Sequence, residues 1–309
     1  MPQDDSSRFS RLKHNLKLRA LVLDAIRDFF SSEGFLEVET PLYVKTVAPE
    51  QHISPFTVDD CFLSTSPELH MKRLLAAGYT KIFQICHCFR KNERGQLHNP
   101  EFTMLEWYRV GADYMRIIED TEKLLLAIAK KLHSGSTIRY QGIEINLGRP
   151  WHRVTVREAF LDSAGWDPFE QHDPERFDID LVEKVMPNFL RNRPTVLLDY
   201  PAAMASLSRL KPGNPEVAER AEVFIGGLEI ANAYSELTDA AEQEQRFKLE
   251  IEIMKMEGKE EFTLPRKFLD ALPALPECGG NALGIDRLVM LFCDASSIDE
   301  VIAFPWEEV

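Results

Sequence analysis

Two ten-residue runs, KIFQICHCFR at 81–90 and EFTMLEWYRV at 101–110, leave this chain little choice of fold class. They flank a polar stretch, KNERGQLHNP, and read as a strand and its returning partner. Side chains alternate along a strand, so parity sorts them by face. Phe102, Met104, Glu106 and Tyr108 share a face of the second run. Gln84, Cys86, Cys88 and Arg90 share a face of the first, while Phe83, Ile85 and Phe89 fall on a core-like side. A sheet face carrying Arg, Glu, Tyr and an accessible Phe suits a charged, partly aromatic ligand. The same pattern also describes an ordinary solvated face.

A second hairpin sharpens this. AEVFIGGLEIANAY at 221–234 carries a two-residue turn, Gly226-Gly227. That turn pairs Ile225 with Leu228, Phe224 with Glu229 and Glu222 with Ala231. Glu222 and Glu229 then lie on one face as diagonal neighbours, roughly 7–8 Å apart at the backbone. Carboxylates at that reach repel each other unless a cation lies between them. Mg²⁺ held by two carboxylates plus substrate phosphates fits; so do two solvated glutamates. Asn232 and Glu236 have the other parity from Glu229, so a bend or bulge must intervene if all of them line one site.

The remaining elements fit around these hairpins. Residues 15–33 read as an amphipathic helix carrying Leu18, Val22, Ala25, Ile26, Phe29 and Phe30, with Gly34 as its stop. FLEVETP reads as a half-buried strand, Leu36 and Val38 alternating with Glu37 and Glu39, ended by Pro41. Ser66-Pro67-Glu68 opens a helix that Gly78 ends, with Ser66 as its N-cap. Residues 113–133 and 239–257 read as helices, VTVREAFLDSAG as a capped helix and PTVLLDYP as a strand. GGNALGI is a glycine-rich strand running into a helix at DRLVMLF, and the rest of 143–195 is mixed. Long antiparallel hairpins surrounded by helices predict an α+β fold on a mixed, mostly antiparallel sheet.

Composition narrows the function. With 309 residues, 44% hydrophobic and 28% charged, the chain can bury a real core in one large domain or two. Its net charge of -14 argues against nucleic acid as the main partner. Five cysteines fit neither a disulfide framework nor a zinc site, and read as reduced cytoplasmic thiols. MPQDDSSRFS lacks the pattern of a signal peptide, and no run approaches the ~18 apolar residues of a membrane span.

Taken together, HNPEFTMLEWY (98–108), VFIGGLEIANAYSELTD (223–239) and ALGIDRLVMLF (282–292) resemble the class II aminoacyl-tRNA synthetase catalytic domain. The resemblance covers nearly the whole chain. The first helix, strand and Pro41 look like the first class motif, a dimer element; FRKNERGQLHNPEF looks like the second and ALGIDRL like the third. The wording is similar to lysyl-tRNA synthetase. That family carries an OB-type anticodon-binding domain before this core, and only about a dozen residues precede the first helix here, too few for such a barrel. The chain therefore resembles the free-standing paralogues, the elongation factor P lysine ligases. Ser66 and Ala282 agree with that branch, where lysyl-tRNA synthetases typically carry Ala and Gly.

The resemblance implies a single catalytic domain over 1–309 that uses ATP and Mg²⁺ and forms a homodimer. It implies activation of (R)-β-lysine as an adenylate, then transfer to a lysine ε-amine of elongation factor P, without reading a tRNA anticodon. Arg90 would bind the substrate carboxylate and α-phosphate, and Arg287 the γ-phosphate. Phe102 would stack on adenine, with Lys91, Asn92, Glu93, His98, Asn99, Ile230 and Gly284 around the nucleotide. Glu222 and Glu229 would hold Mg²⁺. Ser66, Pro67, Glu68, Glu106, Tyr108, Asn232, Glu236 and Ala282 would surround the diamine, whose two ammonium groups need carboxylates at both ends because an unpaired buried charge costs several kcal/mol.

The second motif departs from the family pattern. Its usual glutamate falls at Asn92, with Glu93 one residue later, which leaves two candidates for that role. Neither chemical step requires a protein nucleophile, since positioning and charge stabilisation can suffice. A truncated synthetase charging tRNA or another carrier, and an inactive ATP-binding regulator, are the competing readings.

Overall fold

The computed structural model describes residues 5–133, 135–259 and 262–309. Helix α1 (Asp5–Ser32) leads through β1 (Leu36–Glu37) to a small sheet of β2 (Tyr43–Val44), β3 (Thr57–Val58) and β4 (Cys61–Leu63). Helix α2 (Glu68–Ala76) precedes the long hairpin of β5 (Lys81–Phe89) and β6 (Glu101–Val110). Next come α3 (Tyr114–His133), the β7 (Thr137–Tyr140) and β8 (Ile143–Asn146) hairpin, β9 (His152–Thr155), α4 (Val156–Ala164) and α5 (Pro174–Asp180). The chain continues through β10 (Thr195–Pro201), β11 (Leu210–Lys211), β12 (Asn214–Ile225) and β13 (Leu228–Ser235). It closes with α6 (Ala240–Met256), α7 (Arg266–Leu269), β14 (Cys278–Gly284) and α8 (Ile285–Cys293).

The central sheet runs β1-β5-β6-β14-β13-β12-β10-β9, with β11 also pairing β12. Its two parallel contacts, β1 with β5 and β9 with β10, lie at the ends of that order. The fold is thus α+β on a mixed, mostly antiparallel sheet. One face is covered by α1, α3 and α8, whose Ile26, Phe30, Ile128 and Leu288 pack on Phe83, Leu105 and Trp107. Phe30 stacks on Phe83 at 4.7 Å between centroids, and truncating such a buried ring costs about 3–5 kcal/mol. The other face carries a cluster with Leu75, Phe247 and Phe268 and another with Phe160, Phe177 and Tyr200. The polar parity of the hairpins lies on this second face.

Several sequence expectations change in detail. Helix α1 starts ten residues before 15–33, at Asp5, while Gly34 takes the left-handed φ of 76° that ends it. The strand expected in FLEVETP is only two residues long, and Leu36 is 51% exposed. Val38 does turn inward, packing with the cluster of Leu69 and Leu75. Phe89 is half-buried and outside the core clusters, because it sits at the end of its strand.

The register of the second hairpin is the most consequential difference. Gly226 and Gly227, at φ 61° and 88°, make the turn, and Ile225 pairs Leu228 and Phe224 pairs Glu229. The ladder then slips, so that Val223 pairs Ala231 and Glu222 pairs Asn232, not Ala231. A bulge at Ile230 adds one residue to β13 and reverses its alternation. Glu229, Asn232 and Glu222 consequently share a face, and the Asn232 amide donates to Glu229 Oε1 at 2.7 Å.

Candidate active site

Strand β14 joins two halves of a site. Its Ala282 pairs Glu106 of β6 on one side and Asn232 of β13 on the other. Two residues earlier, Gly280 sits between Tyr108 and Tyr234. A Cβ on Gly280 would strike both the Glu236 carboxylate and the Tyr108 ring, so this position admits only glycine. At Gly284, by contrast, a Cβ would meet open space, so close packing does not explain that glycine.

One half is a carboxylate pocket. The Ser66 hydroxyl donates to Glu106 Oε1 at 2.6 Å while accepting the Glu68 N–H at 3.0 Å. It thus caps the start of α2 and orients Glu106 at once. The Tyr108 hydroxyl donates to Glu106 Oε2 at 2.7 Å. Burial, with help from the Glu68 charge, pushes the Glu106 carboxyl up to about 8. One turn along α2 from Glu68, Lys72 pairs with both Glu68 and Glu236. Burial opposes the Lys72 charge, yet Glu236 and Glu68 hold its pKa above the ordinary lysine range. Burial likewise pushes the Glu236 carboxyl upward.

The other half is a cleft lined by Arg90, Glu93, His98, Asn99, Phe102, Glu229, Ile230, Asn232, Ala282, Gly284 and Arg287. The Arg90 guanidinium lies 5.1 Å from the Phe102 ring centroid, and its Nη1 donates to Glu93 Oε1 at 3.3 Å. Arg90 Nε is buried with no hydrogen-bond partner among the described residues. Burial opposes the Arg90 charge, but Glu93 and Glu50 raise its pKa. An arginine with a spare buried donor is a ready anion site. Arg287 donates to the Glu229 carbonyl at 3.0 Å and lies against His98, whose pKa is lowered by burial and by the Arg287 charge. Asn99 lines the cleft, but its amide donates to Glu101 O at 2.6 Å and its Oδ1 accepts from Trp306 N–H at 2.9 Å. Lys91 and Asn92 lie outside the lining, on the exposed loop, where the Lys91 N–H and Asn92 amide donate to Ser54. Glu93, one residue on, is the acid that faces the cleft.

Glu222 and Glu229 lie on one face of the β12–β13 hairpin. Glu222 is buried, and burial pushes its pKa up; Arg220 works against that rise and Glu229 adds to it. Arg220 Nη2 donates to Glu222 Oε1 at 2.6 Å. Glu229 faces Arg287, whose Nη1 lies 3.5 Å from its Oε2, so each carboxylate has an arginine beside it. The two-carboxylate donor set fits a hard divalent cation whose shell is completed by phosphates.

Three functional neighbours escaped the sequence reading. Lys72 was visible in principle, four residues after Glu68 on one helix face. Asp286, 3% exposed, accepts from Arg19 at 2.6 Å and from the Thr103 N–H at 2.8 Å, tying α1 and β6 to the start of α8 beside Arg287. Glu50 gave no local signal; it accepts from the Ser206 hydroxyl at 3.2 Å, and burial pushes its carboxyl up to about 7, the Glu68 charge adding to the rise and Arg90 opposing it.

Residues 5–308 match the family of class II tRNA synthetases (D, K and N). The elongation factor P–(R)-β-lysine ligase of Klebsiella pneumoniae is 40% identical over 306 residues, covering 94% of each chain. The protein of that name from Salmonella gallinarum is 39% identical over the same length and coverage. With a family match over almost its whole length and relatives this similar, the chain belongs to the class II tRNA synthetase family, in the branch of the elongation factor P–(R)-β-lysine ligases.

Proposed function

We propose that this protein activates (R)-β-lysine with ATP and transfers it to a lysine ε-amine of elongation factor P. The observation that carries the reading is the position of Ala282, which lines the cleft of Arg90 and Arg287 and pairs directly with Glu106 of the carboxylate pocket. An anion-binding cleft and an ammonium-binding pocket therefore share a wall. A zwitterionic diamine laid across that wall has its carboxylate at Arg90 and its ammonium groups among the glutamates.

In the first step a carboxylate oxygen of the amino acid attacks the α-phosphorus of ATP, and the bond to pyrophosphate breaks. Arg90 stabilises the charge that builds on the α-phosphate, and Arg287 holds the γ-phosphate end. Phe102 stacks on adenine, with His98, Asn99, Ile230 and Gly284 around the nucleotide and Glu93 fixing the base. Glu222 and Glu229 would hold Mg²⁺, which neutralises phosphate charge when bound. In the second step the acceptor amine attacks the carbonyl carbon, the bond to AMP breaks and the amine loses its proton. Ser66, Pro67, Glu68, Glu106, Tyr108, Asn232 and Glu236 orient the diamine throughout, which is a positioning role and needs no protein nucleophile.

The reading includes a single cytoplasmic catalytic domain acting as a homodimer. Leu21, Leu36, Leu42 and Tyr43, each at least 40% exposed near the first class motif, support a dimer face. No helix among the described residues is long and apolar enough to cross a membrane. The net charge of -14 supports a protein acceptor over tRNA. Pyrophosphate exchange tests the first step: exchange dependent on (R)-β-lysine is expected, and none with any lysine isomer would favour an ATP-binding regulator.

A further inference from the structure

Strand β5 carries a pair of thiols that the proposed chemistry does not use. Gln84, Cys86, Cys88 and Arg90 alternate onto one face of it, away from the core that holds Phe83 and Ile85. The Cys86 and Cys88 sulfurs lie 3.9 Å apart. Across the ladder Cys86 pairs Met104 and Cys88 pairs Phe102. Directly opposite residues share a face with Cβ atoms ~4.5–5.5 Å apart, so the Met104 thioether is a neighbour of the thiols. Cys88 is buried, Cys86 is half-buried, and Met104 lines the cleft of Arg90 and Arg287. Three sulfur-bearing side chains are thus grouped where the cleft gives access.

A disulfide fits this pair poorly. Residues two apart on a strand have Cα atoms ~6.6 Å apart, at the far end of the range a disulfide tolerates. A bridging ion needs no such movement of the backbone. Two metal–thiolate bonds of ~2.3 Å opened to ~116° span the observed gap. That angle is close to trigonal, with the Met104 thioether as third donor. An all-sulfur set of this kind selects a soft ion such as Cu(I). No three His, Cys, Asp or Glu side chains are grouped to hold a metal among the described residues, so a four-coordinate zinc cage is not built here. Binding forms two metal–thiolate bonds and one to the thioether, releases two S–H protons to solvent and changes no oxidation state. Two thiolates and one Cu⁺ leave a single negative charge. Arg90 follows Cys88 on the same face, and its buried Nε has no hydrogen-bond partner among the described residues. The Cys86 contact and burial push the Cys88 thiol up, and the Arg90 charge opposes that rise.

We infer that Cys86, Cys88 and Met104 form a binding site for a soft monovalent metal ion of the Cu(I) class, and that the anionic complex engages Arg90 and blocks amino-acid activation. The site stands on the sulfurs alone, whereas the block rests on the function proposed above.

The test is an anaerobic titration of the reduced full chain with Cu(I) held by the chromophoric chelator bicinchoninate. Wild type is expected to withdraw one equivalent of copper. Cys86→Ser and Cys88→Ser weaken copper binding by about 100-fold or more, beyond the loss that an outer-shell partner costs. Met104→Leu weakens it by a smaller factor, and Cys293→Ser, at the other half-buried thiol, matches wild type. If Cys88→Ser fails to fold, Cys86→Ser at the accessible thiol decides alone. In pyrophosphate exchange one equivalent of Cu(I) silences wild type but not Cys86→Ser, and excess bicinchoninate restores activity. No copper withdrawn by the wild type, equal binding by Cys86→Ser, or Zn²⁺ held as tightly as Cu(I) overturns the site. Copper bound with exchange undiminished overturns the block. Absence of exchange by copper-free wild type with every lysine isomer overturns the functional reading, and the titration still decides the site.

Discussion

Lys72 and Glu236 form an ion pair in which each side chain is 1% exposed. Glu68 joins it, so two carboxylates share one ammonium in a wall of the pocket. A fixed internal cation lets two acids stand close together before any substrate arrives, at the expense of burying all three groups. The pocket is thereby preorganised for a cationic ligand.

Replacing Lys72 with Met should leave Glu236 buried without its partner. Breaking a buried pair in this way costs about 3–5 kcal/mol. Urea unfolding should show that loss as a lowered midpoint at unchanged slope. A change within about 0.5 kcal/mol, the range of ordinary surface substitutions, would mean that the pair is not formed.

Ser66 and Ala282 should govern the choice between lysine isomers. Ser66→Ala removes both the donor to Glu106 and the acceptor for the Glu68 N–H. Ala282→Gly opens the wall between cleft and pocket. A methyl or hydroxyl of this kind is worth about 1–3 kcal/mol of discrimination, so the ratio of kcat/KM for (R)-β-lysine over α-lysine should fall by about 10- to 100-fold in the double variant. A ratio that stays constant contradicts this role.

The glutamate of the second motif should be Glu93. Glu93→Gln should raise the KM for ATP about tenfold, equivalent to ~1.4 kcal/mol. Asn92→Ala, on the exposed loop, should change it less than twofold. The opposite ranking of the two variants would assign the role to Asn92.

Buried acids should make the free enzyme less stable as pH rises. Glu106 and Glu50 are pushed from 4.5 to about 8 and about 7 in the folded chain. Between those values and about 4.5 the native state holds protons that the unfolded chain has released. Their stabilisation is complete below about pH 4.5 and is lost as pH rises through 7 to 8. Substrate ammonium groups require the ionised acids, so the KM for β-lysine should fall over the upper part of the same window. Glu106→Gln should flatten the slope of stability against pH; an unchanged slope would place that acid in solvent.

The strands, the glycine turn and the α+β class were legible because alternation and Gly226-Gly227 are local signals. Parity sorted Gln84, Cys86 and Cys88 onto one face and Phe102, Met104 and Glu106 onto one face, and only the ladder shows that Gln84 pairs with Glu106 and Cys88 with Phe102. The bulge at Ile230 was not legible, since nothing in LEIANAY marks which residue is extra. It could be required only by asking how Glu229 and Asn232 could share a face. The length of α1 was missed because its first turns, DSSRFSRLKHN, are mostly polar and lack an apolar stripe. Lys72 and Glu50 depended on tertiary placement: α2 beside Glu236 for one, the turn bearing Ser206 for the other.

The most direct test is the intact mass of unmodified elongation factor P after incubation with this protein, ATP-Mg²⁺ and (R)-β-lysine, alongside a tRNA-charging reaction. One β-lysyl group added to the factor and no charged tRNA is the predicted result. An unmodified factor beside efficiently charged tRNA would contradict it.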